Sequence, residues 1–382
     1  MEKQRDENET SNETSCDLKP SYTWDEIKAH STKNEQWIVI NNCVYDVTRW
    51  LRKHPGGAKI LSHFAGQDAS DAWAAFHIDH DYCNKFLTPL FKGTLAKDEQ
   101  EEKEMNRDFR ELRKKVKEMG LMKANPWFFL GYLVHVILLD VAAFCTLWYF
   151  GTGWIPWLTT VALLTVSQIQ TGWMQHDYGH HSVLPTAWLN RVGHWLTIGV
   201  IKGASAHWWN FRHSQHHAKP NCLRMDPDIS VGYLFLMGDH LPVQLGRKKK
   251  GYMPYQQQHN YFWLLGPPVL LPIYFHLEVI YFIIKRRAWV DFAWMLCFYV
   301  RFFYMYSRLL GAWGAFTLYM LERFIESHWF LFVTQSNHVP MEIDKDHQHD
   351  WPIAQTISTC NIAGSPFNDW FTGHLNYQVE HQ

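Results

Sequence analysis

The stretch HSQHH at residues 213–217 contains three histidines, and two related histidine motifs accompany it in the chain. HDYGH lies upstream at 176–180, and QVEH lies downstream at 378–381. On a helix, residues at positions i, i+3 and i+4 share one face, so HxxxH presents two imidazoles and HxxHH three to a common point. Imidazole is a ligand that suits iron, zinc and copper. The pattern therefore predicts a metal centre whose ligands come from well-separated parts of the chain.

The composition around these motifs favours ligation over a solvated surface. Residues 176–217 contain eight histidines but only four Lys, Arg, Asp or Glu residues, the opposite of a charged, exposed face. A formal net charge of −1 argues against nucleic acid as a partner. The seven cysteines are scattered and lack CxxC spacing, which is typical of reduced cysteines and not of a disulfide framework or a zinc site.

The first third of the chain is polar and predicts a small soluble domain. Residues 1–19 are acidic, lack the apolar core of a signal peptide, and are expected to form a disordered tail. Within 20–97, two strand-like pieces, WIVI at 37–40 and VYDV at 44–47, are joined through Asn41 and Asn42. A charged run then predicts a solvated helix or linker over 98–125.

HPGG at 54–57 is the second chemical signal. Its glycines let the backbone approach a flat ligand without Cβ clashes, although the motif by itself is as often a turn as a site. Together with VYDVTRW at 44–50, AGQDA at 65–69 and FH at 76–77, it resembles cytochrome b5 over about 80 residues. The resemblance implies that His54 and His77 are the axial ligands of haem b. Two axial imidazoles fill the iron coordination sphere, which implies electron transfer and excludes direct binding of oxygen.

The remainder of the chain is apolar enough to predict membrane helices. Segments 127–150 and 154–173 are each about long enough to cross a ~30 Å hydrocarbon layer, and 151–153 permits only a tight turn between them. A second apolar region, 262–333, is interrupted by the basic residues 285–287. If all three histidine motifs face one side, an even number of crossings separates 217 from 381, so we predict crossings at 262–284 and 300–321. The basic run at 247–250 is then cytosolic by the positive-inside rule, and 285–287 falls on the opposite side.

The combination of these two parts resembles the front-end fatty acid desaturases, from about Trp24 to the last residue. The shared motifs include KGASA at 202–206, GPP at 266–268, ESHW at 326–329, QSNH at 335–338 and FNDWF at 367–371. Gln378 is the most specific, because front-end desaturases carry glutamine where other desaturases begin the third box with histidine. The resemblance implies a small α+β cytochrome b5-like haem domain followed by an all-α membrane desaturase domain over 126–382. About four transmembrane helices would support a cytosolic cap that carries the histidine boxes.

The resemblance also implies the metal site. Carried over position by position, the ligands of two non-haem iron ions are His176, His180, His213, His216, His217, His338 and His381, with Gln378 as the third-box glutamine. Taken by itself, His338 reads as a polar residue at a helix end. Breaking an unactivated C–H bond needs a metal-bound oxidant, because no side-chain acid or base can do it.

The implied activity is that of an O2-dependent fatty acyl-CoA desaturase, most similar to the Δ6 type, acting on polyunsaturated chains. Electrons would pass from NADH or NADPH through a cytochrome b5 reductase to the haem and then to the irons. The enzyme would be a multi-pass protein of the endoplasmic reticulum membrane with the N-terminus and the histidine boxes in the cytosol. Motifs do not report the double-bond position, the preferred acyl chain or the oligomeric state.

Three positions depart from the family pattern. The third box is usually His-His followed by Leu-Phe-Pro and a further helix, whereas this sequence reads His381-Gln382 and is therefore expected to be C-terminally truncated. His207 stands where asparagine is usual, and Phe211 where histidine is usual. An alternative hypothesis is therefore a weakly active or inactive membrane haem protein. Another is a sphingolipid desaturase or a fatty acid hydroxylase, of which Gln378 disfavours the hydroxylase.

Overall fold

The structure is a computed structural model that describes residues 20–230, 234–249, 251–343 and 349–382. The predicted acidic tail, 1–19, lies outside the described residues. Two compact units are present: one contains 20–112 and 349–354, and the other contains the rest of the described chain. The predicted linker, 98–125, is thus divided between the units, and 349–354 belongs to the first unit although we predicted one domain over 126–382.

The first unit is built on a five-stranded sheet with the order β1-β5-β4-β3-β2. Its strands are β1 Ser21–Tyr22, β2 Ser31–Thr32, β3 Glu35–Ile40, β4 Cys43–Asp46 and β5 Phe91–Leu95. Asn41 and Asn42 both have positive φ, 49° and 60°, as a tight hairpin between β3 and β4 requires. The helices are α1 Trp24–Ala29, α2 Ala58–Ser62, α3 Ser70–Phe76, α4 His80–Leu87 and α5 Glu104–Glu118. Asp350 joins this unit by accepting a 2.9 Å bond from Lys103 Nζ.

In the described residues of the second unit, helices are joined by loops and no β-strand element is present. Its helices are α6 Pro126–Phe150, α7 Trp154–Gly179, α8 Ala187–His194, α9 Ala206–Ala218, α10 His240–Arg247, α11 Gln258–Val269, α12 His276–Arg286, α13 Trp289–Ser336, α14 Trp351–Ile357, α15 Pro366–Thr372 and α16 Gln378–His381, of which α14 begins in the first unit. Wider π-type turns join α8 to α9 (Trp195–Lys202) and α11 to α12 (Leu270–Phe275). The predicted fold class, a small α+β unit followed by an all-helical one, is confirmed.

Helix α13 folds back on itself at Gly311, whose φ and ψ of 71° and 171° are not helical. The rings of Phe302 and Tyr319 lie 5.5 Å apart, whereas residues so distant along one straight helix are separated by about 25 Å at 1.5 Å per residue. The two arms, 289–310 and 312–336, therefore form a hairpin that packs with α6 and α7 around one buried core. The prediction of a single crossing over 300–321 is wrong, because the turn falls in its middle.

Two helical stretches are long and apolar enough to cross a membrane, Pro126–Phe150 and Tyr255–Arg286. The second ends at Arg286, whose guanidinium lies 5.0 Å from the ring of Phe211 on α9. Phe211 is two residues from His213, so Arg286 lies near the second histidine box. We predicted residues 285–287 on the opposite side of the membrane from this box, whereas the contact of Arg286 with Phe211 places Arg286 beside it.

The turn in α13 gives a direct test of the fold. A φ of 71° with a ψ of 171° is a conformation that almost only glycine adopts, and other residues pay roughly 1–3 kcal/mol there. No atom lies within 4 Å of a Cβ built at Gly311, so Gly311→Ala should lower the unfolding temperature through backbone strain alone. Gly131→Ala in α6 is the matched control: its Cβ also meets nothing, its φ is helical, and it should leave stability unchanged or raised. Equal unfolding temperatures for the two variants in detergent would contradict the hairpin.

Candidate metal centre

Four separate pieces of chain bring the histidine motifs together. The C-terminal end of α7 carries His176 and His180, and α9 carries His213, His216 and His217. Ser205 caps α9 by accepting a hydrogen bond from Trp208 N, which fixes where this helix begins. His338 follows α13, and the short helix α16 carries Gln378 and His381. Every predicted metal-ligating residue thus lies in one region of the second unit.

Five imidazoles converge in a group that we call site A: His176, His180, His213, His217 and His381. The Nε2 atoms of His180 and His217 lie 2.8 and 2.9 Å from Nε2 of His213. Those of His176 and His381 are 3.1 Å apart. One ring nitrogen from each of His176, His180, His213 and His381 lies within 4.8 Å of all the others.

Burial keeps this group ready to bind a cation. It lowers the pKa of His180, His213, His217 and His381 well below the ordinary value, and the neighbouring imidazoles lower it further. The rings are therefore neutral at physiological pH, the form in which imidazole is a metal ligand.

A second group, site B, consists of His216, His338, Gln378 and Gln382. The rings of His216 and His338 have centres 4.6 Å apart. The Nδ1 of His216 is 2.9 Å from a carboxylate oxygen of Asp226, and the Nδ1 of His338 is 3.0 Å from the Ser358 carbonyl oxygen. These bonds leave each Nε2 turned toward the other members. The side-chain amide nitrogen of Gln378 lies 3.1 Å from Nε2 of His338, and that of Gln382 lies 2.8 Å from Nε2 of His216.

The donors of sites A and B fit iron. Metal–imidazole bonds of about 2.1 Å hold two ligand nitrogens on one ion roughly 3–4 Å apart, close to the spacings in site A. The carboxylate on His216 is the outer-sphere partner that metal-binding histidines usually have. It is strong enough to raise the pKa of His216 to about 9 against the opposing effect of burial. Asp226 is itself held by the backbone N–H groups of Asn221 and Asp228.

In the first unit, His54 and His77 face each other across a gap that fits haem. Their ring centres are 6.2 Å apart. Two metal–imidazole bonds of about 2 Å on a common axis place ring centres roughly 6 Å apart. The Nδ1 of His77 donates to the Trp73 carbonyl oxygen at 2.9 Å, which turns its Nε2 toward His54. A Cβ at Gly56 would come within 2.9 Å of the His54 ring, so the glycine is needed for the ring to sit where it does.

A cavity of about 500 Å³ opens beside sites A and B. Metal-ligand candidates form part of its wall: His176, His213, His216, His338 and Gln378. Most of the rest is aromatic or aliphatic, including Trp173, Trp208, Trp209, Phe235, Phe262, Phe275, Phe330 and Leu331. Because each buried methylene contributes about 0.8 kcal/mol, such a lining favours a long alkyl chain.

The two unusual residues near the second box do not join the metal group. His207 contacts the buried carboxylate of Asp291 through both its backbone N–H and its Nδ1, each at 2.8 Å. Phe211 packs against Phe282 and lies under Arg286. Both side chains therefore attach α9 to the helices around it.

Sequence reasoning missed three contributors to the site: Asp226, the Ser358 carbonyl oxygen and Gln382. Asp226 could have been found from the carboxylate pair in Asp226-Pro227-Asp228, which follows the second box closely. A backbone carbonyl leaves no signal in a sequence. Arg212 was also missed: it lines the cavity and bonds both carboxylate oxygens of Glu278 at 2.9 Å, attaching α9 to α12.

Comparison with known proteins gives two family matches. The family model for Fatty acid desaturase matches residues 152–381, and that for Cytochrome b5-like Heme/Steroid binding domain matches residues 23–96. The first match covers more than half of the chain and includes every residue of sites A and B except Gln382. The second includes His54 and His77. The order of the two matches is the architecture of a front-end desaturase.

Two solved structures resemble the N-terminal part. Cytochrome b5 of Ostreococcus tauri virus 2 is 37% identical over 20% of this chain and 95% of its own, with a TM-score of 0.19. Ectothiorhodospira vacuolata cytochrome b558, a prokaryotic homologue of cytochrome b5, is 26% identical over 20% of this chain and 98% of its own, also with a TM-score of 0.19.

The bond between Asp226 and His216 predicts that loss of the Asp226 carboxylate weakens metal binding without abolishing it. Asp226→Asn keeps the shape but removes the carboxylate, and loss of such an outer-sphere partner typically weakens a metal about 10–100-fold. Cobalt titration of the purified protein should show this loss at site B, to which His216 belongs. Asp239→Asn, at an exposed helix end, is the control. An unchanged cobalt isotherm for Asp226→Asn would contradict the role given to this carboxylate.

The haem site predicts a spectroscopic difference between neighbouring histidines. His54→Ala and His77→Ala should each abolish the low-spin haem absorbance, since each removes one of the two imidazoles that would bind the haem iron. His80→Ala should retain it, because His80 packs on Trp73 and does not face His54. A low-spin spectrum in both His54→Ala and His77→Ala would exclude them as the ligands.

Proposed function

Because the chain belongs to the fatty acid desaturase family, we propose that it inserts a cis double bond near the carboxyl end of polyunsaturated fatty acyl-CoA chains. The observation that carries this proposal is the apolar cavity of about 500 Å³, in whose wall the histidines of sites A and B lie. A reactive metal and an alkyl chain would share this space. Cleavage of an unactivated C–H bond requires that the metal and the alkyl chain lie next to each other.

Two non-haem iron ions bound at sites A and B would supply O2-dependent removal of one hydrogen from each of two adjacent methylenes. The reaction balances when O2, two electrons, two protons and the two removed hydrogens give one carbon–carbon double bond and two water molecules. The residues of the chain would hold the metal ions in position and exclude water from them. Trp209 stacks on His213 with ring centres 4.2 Å apart, and both side chains line the cavity.

The haem unit is the proposed electron donor. His54 and His77 would hold the haem iron through two imidazoles, and a haem held in this way would exchange electrons and would not bind oxygen. We propose that these electrons come from NADH or NADPH through a cytochrome b5 reductase. The fusion of a haem domain and a desaturase domain in one chain supports this route.

A lipid substrate and the apolar helices support a membrane location. The exposed side chains of α6 include Trp127, Leu138, Val141, Trp148 and Phe150, a surface suited to hydrocarbon. We propose a multi-pass protein of the endoplasmic reticulum membrane with the histidine boxes in the cytosol.

One observation favours a second candidate function. Gln382 occupies a place in site B where the family pattern has histidine, and an amide is a weaker ligand for iron than imidazole. The second candidate is a membrane haem protein with little or no desaturase activity, which would retain haem and lose one iron.

The activity test is expression in yeast fed with linoleate or α-linolenate. A new double bond on the carboxyl side of the existing ones is expected by gas chromatography of fatty acid methyl esters. His213→Ala should abolish the product, because His213 lies centrally in site A. No product from the parent chain, with the low-spin haem present, would support the second candidate.

The position of the cavity predicts that a substitution can block substrate binding and leave metal binding unchanged. A Cβ at Gly266 would lie 3.3 Å from Leu331 and 3.8 Å from Phe235 and Phe262, all in the cavity wall. Gly266→Leu should therefore obstruct the cavity and reduce product at least tenfold while haem and bound cobalt stay unchanged. Gly246→Leu, on exposed α10 with nothing within 4 Å, should have no effect. Full activity of Gly266→Leu would show that the alkyl chain binds elsewhere.

A further inference from the structure

We infer that Gln382 is a direct ligand at site B, so that the protein holds two metal ions of unequal affinity. This inference rests on the proposed diiron site and concerns how this chain completes it. Site A consists of five imidazoles. Site B would combine two imidazoles, His216 and His338, with the two amides of Gln378 and Gln382.

The local helix brings both amides to one face. Gln378 and Gln382 are four residues apart, and Gln382 N donates to the Gln378 carbonyl oxygen at 2.9 Å. His381, between them in sequence, reaches site A instead, with its Nε2 3.1 Å from His176 Nε2. One turn of helix thus serves both metal positions.

In both imidazoles of site B, Nε2 is the ring nitrogen that a cation would bind, and at His216 the cation would take the place of a proton. Asp226 and the Ser358 carbonyl oxygen occupy the Nδ1 atoms of His216 and His338, and each Nε2 faces an amide. In the present arrangement the Gln382 nitrogen faces His216, 2.8 Å away. Its Oε1 is buried and has no hydrogen-bond partner. Amide rotation exchanges the two atoms, placing the oxygen toward the space between the imidazoles.

An orphaned buried oxygen is costly, by about 1–3 kcal/mol, and a cation in site B would remove this cost. An amide oxygen nevertheless binds iron less strongly than an imidazole nitrogen. The two sites should therefore differ: site A takes an ion first, and site B takes the second more weakly. Outer-sphere changes alone alter affinity about 10–100-fold, so replacing a direct ligand should have at least a tenfold effect.

The test is a titration of the haem-containing protein with Co²⁺, which can be counted without interference from the haem iron. Bound Co²⁺ per chain is measured by elemental analysis after equilibrium dialysis. The parent chain should show two dissociation constants at least tenfold apart. Gln382→His should tighten the weaker one, and Gln382→Ala should weaken it further or remove that site. Gln256→His, which adds an imidazole at an exposed position, should change neither.

Site A and the haem report whether each variant is folded, since the tighter constant and the low-spin absorbance should persist in both Gln382 variants. If Gln382→Ala leaves both constants unchanged, Gln382 is not a ligand and the inference is overturned. Two equal constants in the parent chain overturn it as well. If neither the parent nor Gln382→His binds Co²⁺ while haem is retained, the proposed diiron site itself fails, and the inference fails with it.

Discussion

The structure depends on the orientation of imidazole rings whose Nε2 atoms point toward common centres. At His216 and His338 this orientation is enforced from outside, because Asp226 and the Ser358 carbonyl oxygen hold the Nδ1 atoms. At His180, His213, His217 and His381 burial keeps the rings neutral. A neutral imidazole carries only one N–H group, so the close contacts between ring nitrogens cannot all be hydrogen bonds. A cation is the partner that would satisfy the remaining nitrogens.

The helical framework places these rings at one level. The hairpin of α6 and α7 delivers the first box at its C-terminal end, and the fold-back at Gly311 returns the chain so that His338 reaches site B. Ion pairs fix the framework: Arg301 pairs with Asp140 in a partly exposed position, and buried Glu326 pairs with both Lys202 and Arg323. Such charges are costly in an apolar layer unless they are paired, so these contacts fix the register of the helices.

Much of this could be predicted from local patterns. Histidine spacing on a helix predicted that the histidines of α7 and α9 converge, and Asn41-Asn42 between two β-rich pieces predicted the hairpin of β3 and β4. The turn at Gly311 could not be predicted from periodicity, because both arms are equally apolar and one glycine does not by itself end a helix. The contact between Arg286 and Phe211 is equally invisible, since it joins α12 to α9 across a long separation in sequence. Site B was only partly recognised because amides and carbonyl oxygens are too common to stand out as ligands.

The central claim is that the chain holds two non-haem irons beside an acyl cavity. Mössbauer spectroscopy of protein reconstituted with ⁵⁷Fe tests it most directly, because it separates low-spin haem iron from non-haem iron in one sample. We predict about two non-haem irons per haem, both in nitrogen-rich environments and one lost more readily to a chelator. Haem iron alone, in protein whose haem site and fold are intact, would contradict the claim.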